Sequence, residues 1–251
     1  MFNFFIEEGN RHNNRYIISG ADFNHIKNVL RMKIGDEFLV SENNVSNLCR
    51  IESFDCESVI AEIIEESFQD TRLPIKIYLF QGLPKSDKLE LIIQKAVELG
   101  VEGIIPVEMN RCIVKLDDKK KKNKTERWQS IAESAAKQSK RTSVPTVFNP
   151  MSYKQALEKA SELDVFIVPY ECKDEMKSTI NALSQIKSGM SVGILIGPEG
   201  GFELNEIDSA MKSGGIPVSL GKRILRTETA AITAVGMCML YAEMKLNGED
   251  E

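Results

Sequence analysis

The chain has 251 residues, of which 42% are apolar and 27% charged, and its formal net charge is −5. That is ordinary globular composition, enough for one large or two modest domains, and it excludes wholesale disorder. No apolar run approaches the roughly 18 residues of a membrane span, and the N-terminal stretch Met1–Glu8 lacks the basic start of a signal peptide, so the expectation is a soluble cytoplasmic protein. Five scattered cysteines (Cys49, Cys56, Cys112, Cys172, Cys238) without a C-x-x-C pair argue against a disulfide framework and against a metal site.

The first 70 residues read as a small β-rich unit, with strands at Phe4–Ile6, Tyr16–Ile18, Glu37–Val40 and Ser58–Ile64. One helix interrupts them, with Asp22 as its cap and Phe23, Ile26, Val29 and Leu30 at helical spacing. Gly35-Asp36 turns the chain back into a strand, and the polar segment Phe68–Pro74 marks a boundary. Beyond it strands and helices alternate. Ile75–Phe80 is a strand; Ser86 caps a helix carrying Leu89, Ile92, Ile93, Ala96, Val97 and Leu99, which Gly100 stops. A strand at Gly103–Val107 precedes a helix over about 125–139. Val165–Val168, Val192–Ile196 and Ile216–Leu220 read as buried strands, and a long helix runs over about 227–244. This order is that of an α/β domain with a largely parallel sheet.

Charge is unevenly spread. Residues 1–70 hold 6 basic and 13 acidic side chains, whereas residues 111–141 hold 11 basic and 4 acidic. Screening makes such local concentration matter more than the total. The run Asp117–Lys124 reads as a solvated, mobile loop whose functional counterpart is phosphate attraction.

Two segments carry the chemistry. Ile196-Gly197-Pro198-Glu199-Gly200-Gly201-Phe202 follows a buried strand and precedes a helix with Glu203, Leu204, Glu206 and Ile207. It is either a tight strand–helix turn or a ligand loop, since glycines let backbone approach a ligand at a strand's carboxyl end. It fits neither the P-loop nor G-x-G-x-x-G. The second segment, Leu220–Ala231, leads into the last helix with Thr227 as its N-cap, Arg226 beside the turn and Glu228 in the first turn. Alone it reads as a capped helix with an ion pair; beside the first loop it reads as the other wall of one pocket, where a helix start offers unpaired N–H groups.

Together, Gly197–Phe202, Leu220-Gly221 and Ile224–Ala230 resemble the S-adenosylmethionine site of knotted SPOUT-class methyltransferases. The pattern is most similar to the ribosomal RNA small subunit methyltransferase E family, which methylates N3 of a uridine in the decoding region of 16S rRNA. Lys95–Val101, Pro106 and Arg111 resemble its middle block. Trp128, Ala132, Ala136, Gln138, Ser139, Arg141 and Pro145 resemble the helix and loop that follow, and His25, Val29–Arg31 and Gly35-Asp36 its N-terminal domain. The sequence departs from the family there: Asn3 replaces a frequent basic residue, Glu42-Asn43-Asn44 replaces a Gly-bearing hairpin, and residues 51–70 carry seven acids and no base.

The resemblance implies an α/β fold with a trefoil knot over residues 74–251, preceded by a PUA-like RNA-binding β-barrel over 1–70. It also implies a homodimer acting on 16S rRNA within the small ribosomal subunit. By the same resemblance, S-adenosylmethionine lies among loops near 169–171, 196–201 and 220–228, held by Pro169, Ile196, Gly197, Pro198, Glu199, Gly200, Gly201, Leu220, Gly221, Ile224, Leu225, Arg226 and Thr227. Uridine N3 must lose its proton to become nucleophilic, so a base or a cation belongs near it. Arg226 is the expected stabiliser of the uracil oxygens, and Glu228 or Glu199 the group that orients it or accepts the proton. Arg11, Arg15, Arg31, Lys33, Arg111, Lys137 and Arg141 are the expected RNA contacts. Met237, Cys238, Met239 and Met244 read as core or dimer interface. Two other classes remain: a nucleotide-binding enzyme and a noncatalytic RNA-binding module.

Overall fold

The structure is a computed structural model that describes residues 1–6, 9–170 and 176–246. It divides into two compact units, one of residues 1–72 with 136–144 and one of residues 73–135 with 145–251.

The first unit is a six-stranded sheet in the order β1-β4-β5-β6-β3-β2. Its strands are β1 (Asn3–Phe5), β2 (Arg11–His12), β3 (Arg15–Ser19), β4 (Glu37–Glu42), β5 (Val45–Phe54) and β6 (Ser58–Gln69). Only the β1–β4 pair is parallel. Period-two alternation buries Tyr16 and Ile18 of β3 with Phe38, Val40, Cys49, Ile51, Val59 and Ala61 in one core. The sequence reading misses β5, because Ser46, Asn47, Arg50 and Glu52 dilute its apolar signal. The Glu42-Asn43-Asn44 segment that stands in place of a Gly-bearing hairpin forms a tight β4–β5 turn without glycine, with Asn43 (φ 51°) and Asn44 (φ 63°) as its two left-handed residues. Asparagine tolerates that region better than any other non-glycine residue.

The interrupting helix differs from expectation as well. Ser19 is the N-cap of the short helix α1 (Gly20–Asn24), and Asp22 lies in its first turn, its carboxylate 3.1 Å from Lys137 Nζ. A π-helical turn follows at His25–Val29, which buries Ile26 but leaves Val29 63% exposed. The wider turn explains why an i, i+3, i+4 count places Val29 wrongly. Asn3 is buried instead of basic: its Nδ2 donates to Arg141 O at 2.9 Å and its Oδ1 accepts from Ser41 Oγ at 3.0 Å.

The second unit is a parallel sheet of β7 (Lys76–Gly82), β8 (Gly103–Glu108), β9 (Thr146–Val147), β10 (Met151–Ser152), β11 (Val165–Pro169), β12 (Ser191–Ile196) and β13 (Gly215–Val218). The order is β10-β8-β7-β12-β11-β13, with β9 on β8. Its helices are α2 (Lys88–Glu98), α3 (Asp118–Gln138), α4 (Tyr153–Ala160), α5 (Met176–Leu183), α6 (Leu204–Lys212) and α7 (Thr227–Lys245). Strands buried on both faces, such as Val192–Ile196, give the continuous apolar runs that mark parallel sheets. In α2 the buried Leu89, Ile92, Ile93, Ala96 and Val97 follow the helical period. Its N-cap is Asp87, not Ser86, which sits at φ 54° outside the helix.

The lysine run is helical rather than a loop, since α3 begins at Asp118. Asp117 Oδ1 accepts from Lys120 N at 2.8 Å there, and Lys121 Nζ reaches Glu108 at 2.9 Å. Helices α4 and α5 escape the sequence reading because each is only eight residues long. No helix among the described residues is long and apolar enough to cross a membrane.

Candidate active site

Strands β11, β12 and β13 are neighbours, and the loops at their carboxyl ends enclose one cavity of about 1090 Å³. Ligands in open parallel sheets bind at such strand ends, where diverging loops leave a crevice. Pro169 closes one side. Ile196, Gly197, Pro198, Glu199 and Gly201 form the floor after β12, and Leu220, Gly221, Ile224, Leu225, Arg226 and Thr227 form the far wall. Of the expected cofactor residues only Gly200 is absent from that lining. Its carbonyl accepts from Arg111 Nη1 at 2.9 Å, and Arg111 itself lines the cavity. The Glu171 end of the first loop lies outside the described residues.

Close packing explains one of the glycines here and backbone conformation another. A Cβ on Gly82, at the end of β7, would fall 2.7 Å from the Pro198 backbone nitrogen and 2.7 Å from Met109 Sδ. Gly221 at φ +99° holds a backbone shape that side chains disfavour. Phe202 folds back against the loop and meets Tyr170 edge-to-face at 6.4 Å between centroids.

A buried hydrogen-bond chain ties the two main loops together. Thr227 is the first residue of α7; Arg226 occupies the N-cap. The Thr227 hydroxyl donates to Gly197 O at 2.6 Å and accepts from Gln81 Nε2 at 2.9 Å, and Gln81 Nε2 also donates to Gly82 O at 2.9 Å. The expected capping role of Thr227 is thus corrected: its hydroxyl is spent on the neighbouring loop instead of its own helix. Thr179 does the same for the next segment, donating to Ser219 O at 2.7 Å and accepting from Ser219 N at 3.0 Å. Gln81 and Thr179 escape sequence reasoning because each sits inside an element with no motif around it.

The acidic candidates separate. Glu199 lines the cavity; Glu228 does not, and its side chain turns toward Lys88. Lys88 Nζ lies 3.0 Å from Glu199 Oε1 and 3.5 Å from Glu228 Oε2, and Glu199 Oε1 also accepts from Lys85 N at 3.1 Å. Burial pushes the Glu199 carboxyl up, but its own backbone N–H, Lys88 and the Lys85 N–H outweigh that and hold it below the usual carboxylate range. Arg226 is exposed at the cavity wall.

The basic candidates scatter. Arg111 lines the cavity of the second unit. In the first unit Arg11 is hydrogen-bonded to Glu66, and Arg15 grips Glu52 with two bonds of 2.6 and 2.7 Å. Arg31, at φ 53°, and Lys33 are exposed. Lys137 is bonded to Asp22 with its ammonium 6.0 Å from the Phe4 ring centre. Arg141 is only 7% exposed.

Comparison with known proteins fits this geometry. Residues 71–239 match the RNA methyltransferase domain model, and residues 18–64 match the RNA methyltransferase PUA domain model. The parallel sheet and its loop-walled cavity therefore belong to the RNA methyltransferase class. The ribosomal RNA small subunit methyltransferase E of Bacillus subtilis is 41% identical over 234 residues, covering 91% of both chains. That of Mesomycoplasma hyopneumoniae is 36% identical over 239 residues, covering 95% of this chain and 99% of its own. A crystal structure of a ribosomal RNA small subunit methyltransferase E from Neisseria gonorrhoeae, bound to S-adenosyl methionine, is 32% identical. It superposes with a TM-score of 0.79 over 94% of this chain and 95% of its own. The chain belongs to the ribosomal RNA small subunit methyltransferase E family.

Proposed function

We propose that the protein transfers the methyl group of S-adenosylmethionine to N3 of a uridine in the decoding region of 16S rRNA. It acts in the cytoplasm as a homodimer on the assembled small ribosomal subunit. The observation that carries this reading is the cavity of about 1090 Å³ at three adjacent strand ends, walled by both sequence motifs. Small-molecule sites span roughly 300–1,000 Å³, so there is room for the cofactor with the acceptor base at its mouth.

The residues present fit the cofactor. Ile196, Leu220 and Leu225 would offer apolar walls to its adenine, and the backbone groups of Gly197 and Gly221, unshielded by side chains, would be available to hydrogen-bond it. When bound, the sulfonium supplies a methyl group that needs no further activation. What remains for the chain is alignment of the base and removal of the N3 proton. Arg226, at the N-cap of α7, is placed to stabilise negative charge growing on the uracil oxygens. Glu199, the carboxylate on the cavity surface, is the better placed of the two acids to accept the proton.

The N-terminal unit, residues 1–70 with its PUA-like sheet, is assigned to RNA binding, and residues 74–251 to catalysis. Arg31 and Lys33 are its exposed basic contacts; Arg11 and Arg15 must exchange an exposed glutamate for phosphate, and such surface pairs hold by only about 0–1 kcal/mol. The likeness to the Neisseria structure supports a trefoil knot in the second unit. A homodimer is supported by Leu91 on α2 and by Leu240 and Met244 on α7, which are 44%, 54% and 74% exposed on two helices that pack together.

Equilibrium titration with S-adenosylmethionine and, separately, a nucleoside triphosphate tests the assignment. Saturable binding of the first alone is expected, and binding of the triphosphate alone overturns it. Arg226→Ala is expected to keep cofactor affinity and lose turnover; full turnover overturns the role given to Arg226.

A further inference from the structure

One side chain joins the three segments around the cavity mouth, and neither sequence motif contains it. Lys88 begins α2, after the loop that leaves β7. Its ammonium bridges Glu199 of the β12 loop and Glu228 in the first turn of α7. All three side chains are partly sheltered, at 32%, 26% and 15% exposure, so the ammonium works in a medium less screening than bulk water. The bonding is lopsided. Lys85 N and Lys88 Nζ both fall on Glu199 Oε1, whereas Glu228 Oε2 is buried with no hydrogen-bond partner and has only the longer 3.5 Å ion pair.

We propose that Lys88 is a positioning residue for methyl transfer: it pins Glu199 by Oε1 so that its carboxylate is held at the cavity surface for the acceptor base, with Glu228 as the counter-charge that keeps the ammonium in place. This rests on the methyltransferase reading above and assigns the role of base to Glu199. The N3–H bond breaks with its proton passing to the Glu199 carboxylate. The freed N3 pair forms the new N–CH₃ bond, and the electrons of the broken S–CH₃ bond stay on sulfur. Glu199 then returns the proton to solvent. Glu228 takes no part in that transfer, because it is not among the residues that line the cavity and its carboxylate is paired with Lys88.

The charged groups around Glu199 come from every neighbouring element. Lys85, Asp87 and Lys88 stand at the start of α2, Arg111 lines the cavity and bonds Gly200 O of the same loop, and Arg226 and Glu228 open α7. Among these the ammonium of Lys88 is in direct contact with the carboxylate, and that contact contributes to holding Glu199 low.

Lys88→Met and Lys88→Arg are the tests, read in two ways. In the cofactor-free protein carrying carboxyl-labelled glutamate, the Glu199 resonance, assigned with Glu199→Gln, is titrated by NMR. Its midpoint is expected to rise in Lys88→Met and to return toward the wild-type value in Lys88→Arg. In turnover on unmethylated small ribosomal subunits, Lys88→Met is expected to lose about tenfold to a hundredfold in kcat with KM for S-adenosylmethionine unchanged. The acid limb of its pH profile moves upward with the Glu199 midpoint. An unshifted midpoint with wild-type kcat overturns the role of Lys88, and so does a loss that appears only in KM. A wild-type protein that methylates no uridine overturns the underlying reading instead, so the two failures are distinguishable.

Discussion

Thr227→Val removes one hydroxyl and almost no volume, yet it cuts the chain that joins the two cofactor loops. Thr227 is 6% exposed and Gln81 wholly buried, so water does not replace the lost bonds. Gly197 O loses its 2.6 Å donor, and one Gln81 N–H loses its 2.9 Å acceptor, while the other keeps Gly82 O. A buried group left without a partner costs about 1–3 kcal/mol, so two of them give about 2–6 kcal/mol. For a unit of this size that corresponds to a Tm lower by roughly 4–24 °C. Trp128 is the sole tryptophan, is 4% exposed and lies in the second unit, so its fluorescence reports the transition of that unit. Thr227→Ser, which keeps the hydroxyl, should recover most of the loss. Cofactor affinity should fall in parallel, because the Gly197 carbonyl is no longer held. A Thr227→Val protein within about 0.5 kcal/mol of wild type, the scatter of neutral substitutions, refutes the bridge between the loops.

Other outcomes follow from the same contacts. Gly82→Ala drives a methyl into the Pro198 backbone and should cost about 1–3 kcal/mol in denaturant unfolding; an unchanged midpoint would mean the β12 loop yields freely. Arg15→Ala should leave stability within about 1 kcal/mol, since its pair with Glu52 is exposed, while weakening association with the small subunit and flattening its salt dependence. Burial pushes the thiols of Cys49 and Cys238 up to about 12, so at pH 8.5 alkylation should mark the exposed Cys56 and spare those two, as read by peptide mass mapping. Burial, with help from Glu42, raises the Tyr16 phenol to about 12 from its ordinary value near 10. That protonated form stabilises the fold fully below pH 10 and is lost as pH rises through 12, so wild type should show a steeper alkaline loss of stability than Tyr16→Phe.

The parallel sheet was legible because its strands are buried on both faces and read as uninterrupted apolar runs, and α2 because five apolar residues keep one period. What escaped was structure whose signal is polar or very local. Strand β5 carries serine, asparagine, arginine and glutamate on a surface that only pairing with β4 and β6 makes a strand. The lysine-rich start of α3 looks like a solvated loop until Asp117 is seen capping it. At the site, both loops announced themselves through glycine and through a helix start. Gln81, Thr179 and Lys88 did not, because their roles arise from partners 146, 40 and 111 positions away in sequence, in contacts that exist only after the sheet has formed. The sequence likewise could not separate Glu199 from Glu228: the residue type is the same, and only the folded chain shows that Glu199 lines the cavity and Glu228 does not.

The most direct test is to incubate the protein with methyl-labelled S-adenosylmethionine and unmethylated small ribosomal subunits or naked 16S rRNA, then map the modified nucleoside. Label at N3 of a single uridine, in assembled subunits and not in naked rRNA, is the expected result. Label on a ribose, on another base or in naked rRNA alone would contradict the proposed target, and absence of both label and cofactor binding would contradict the assignment of the cavity itself.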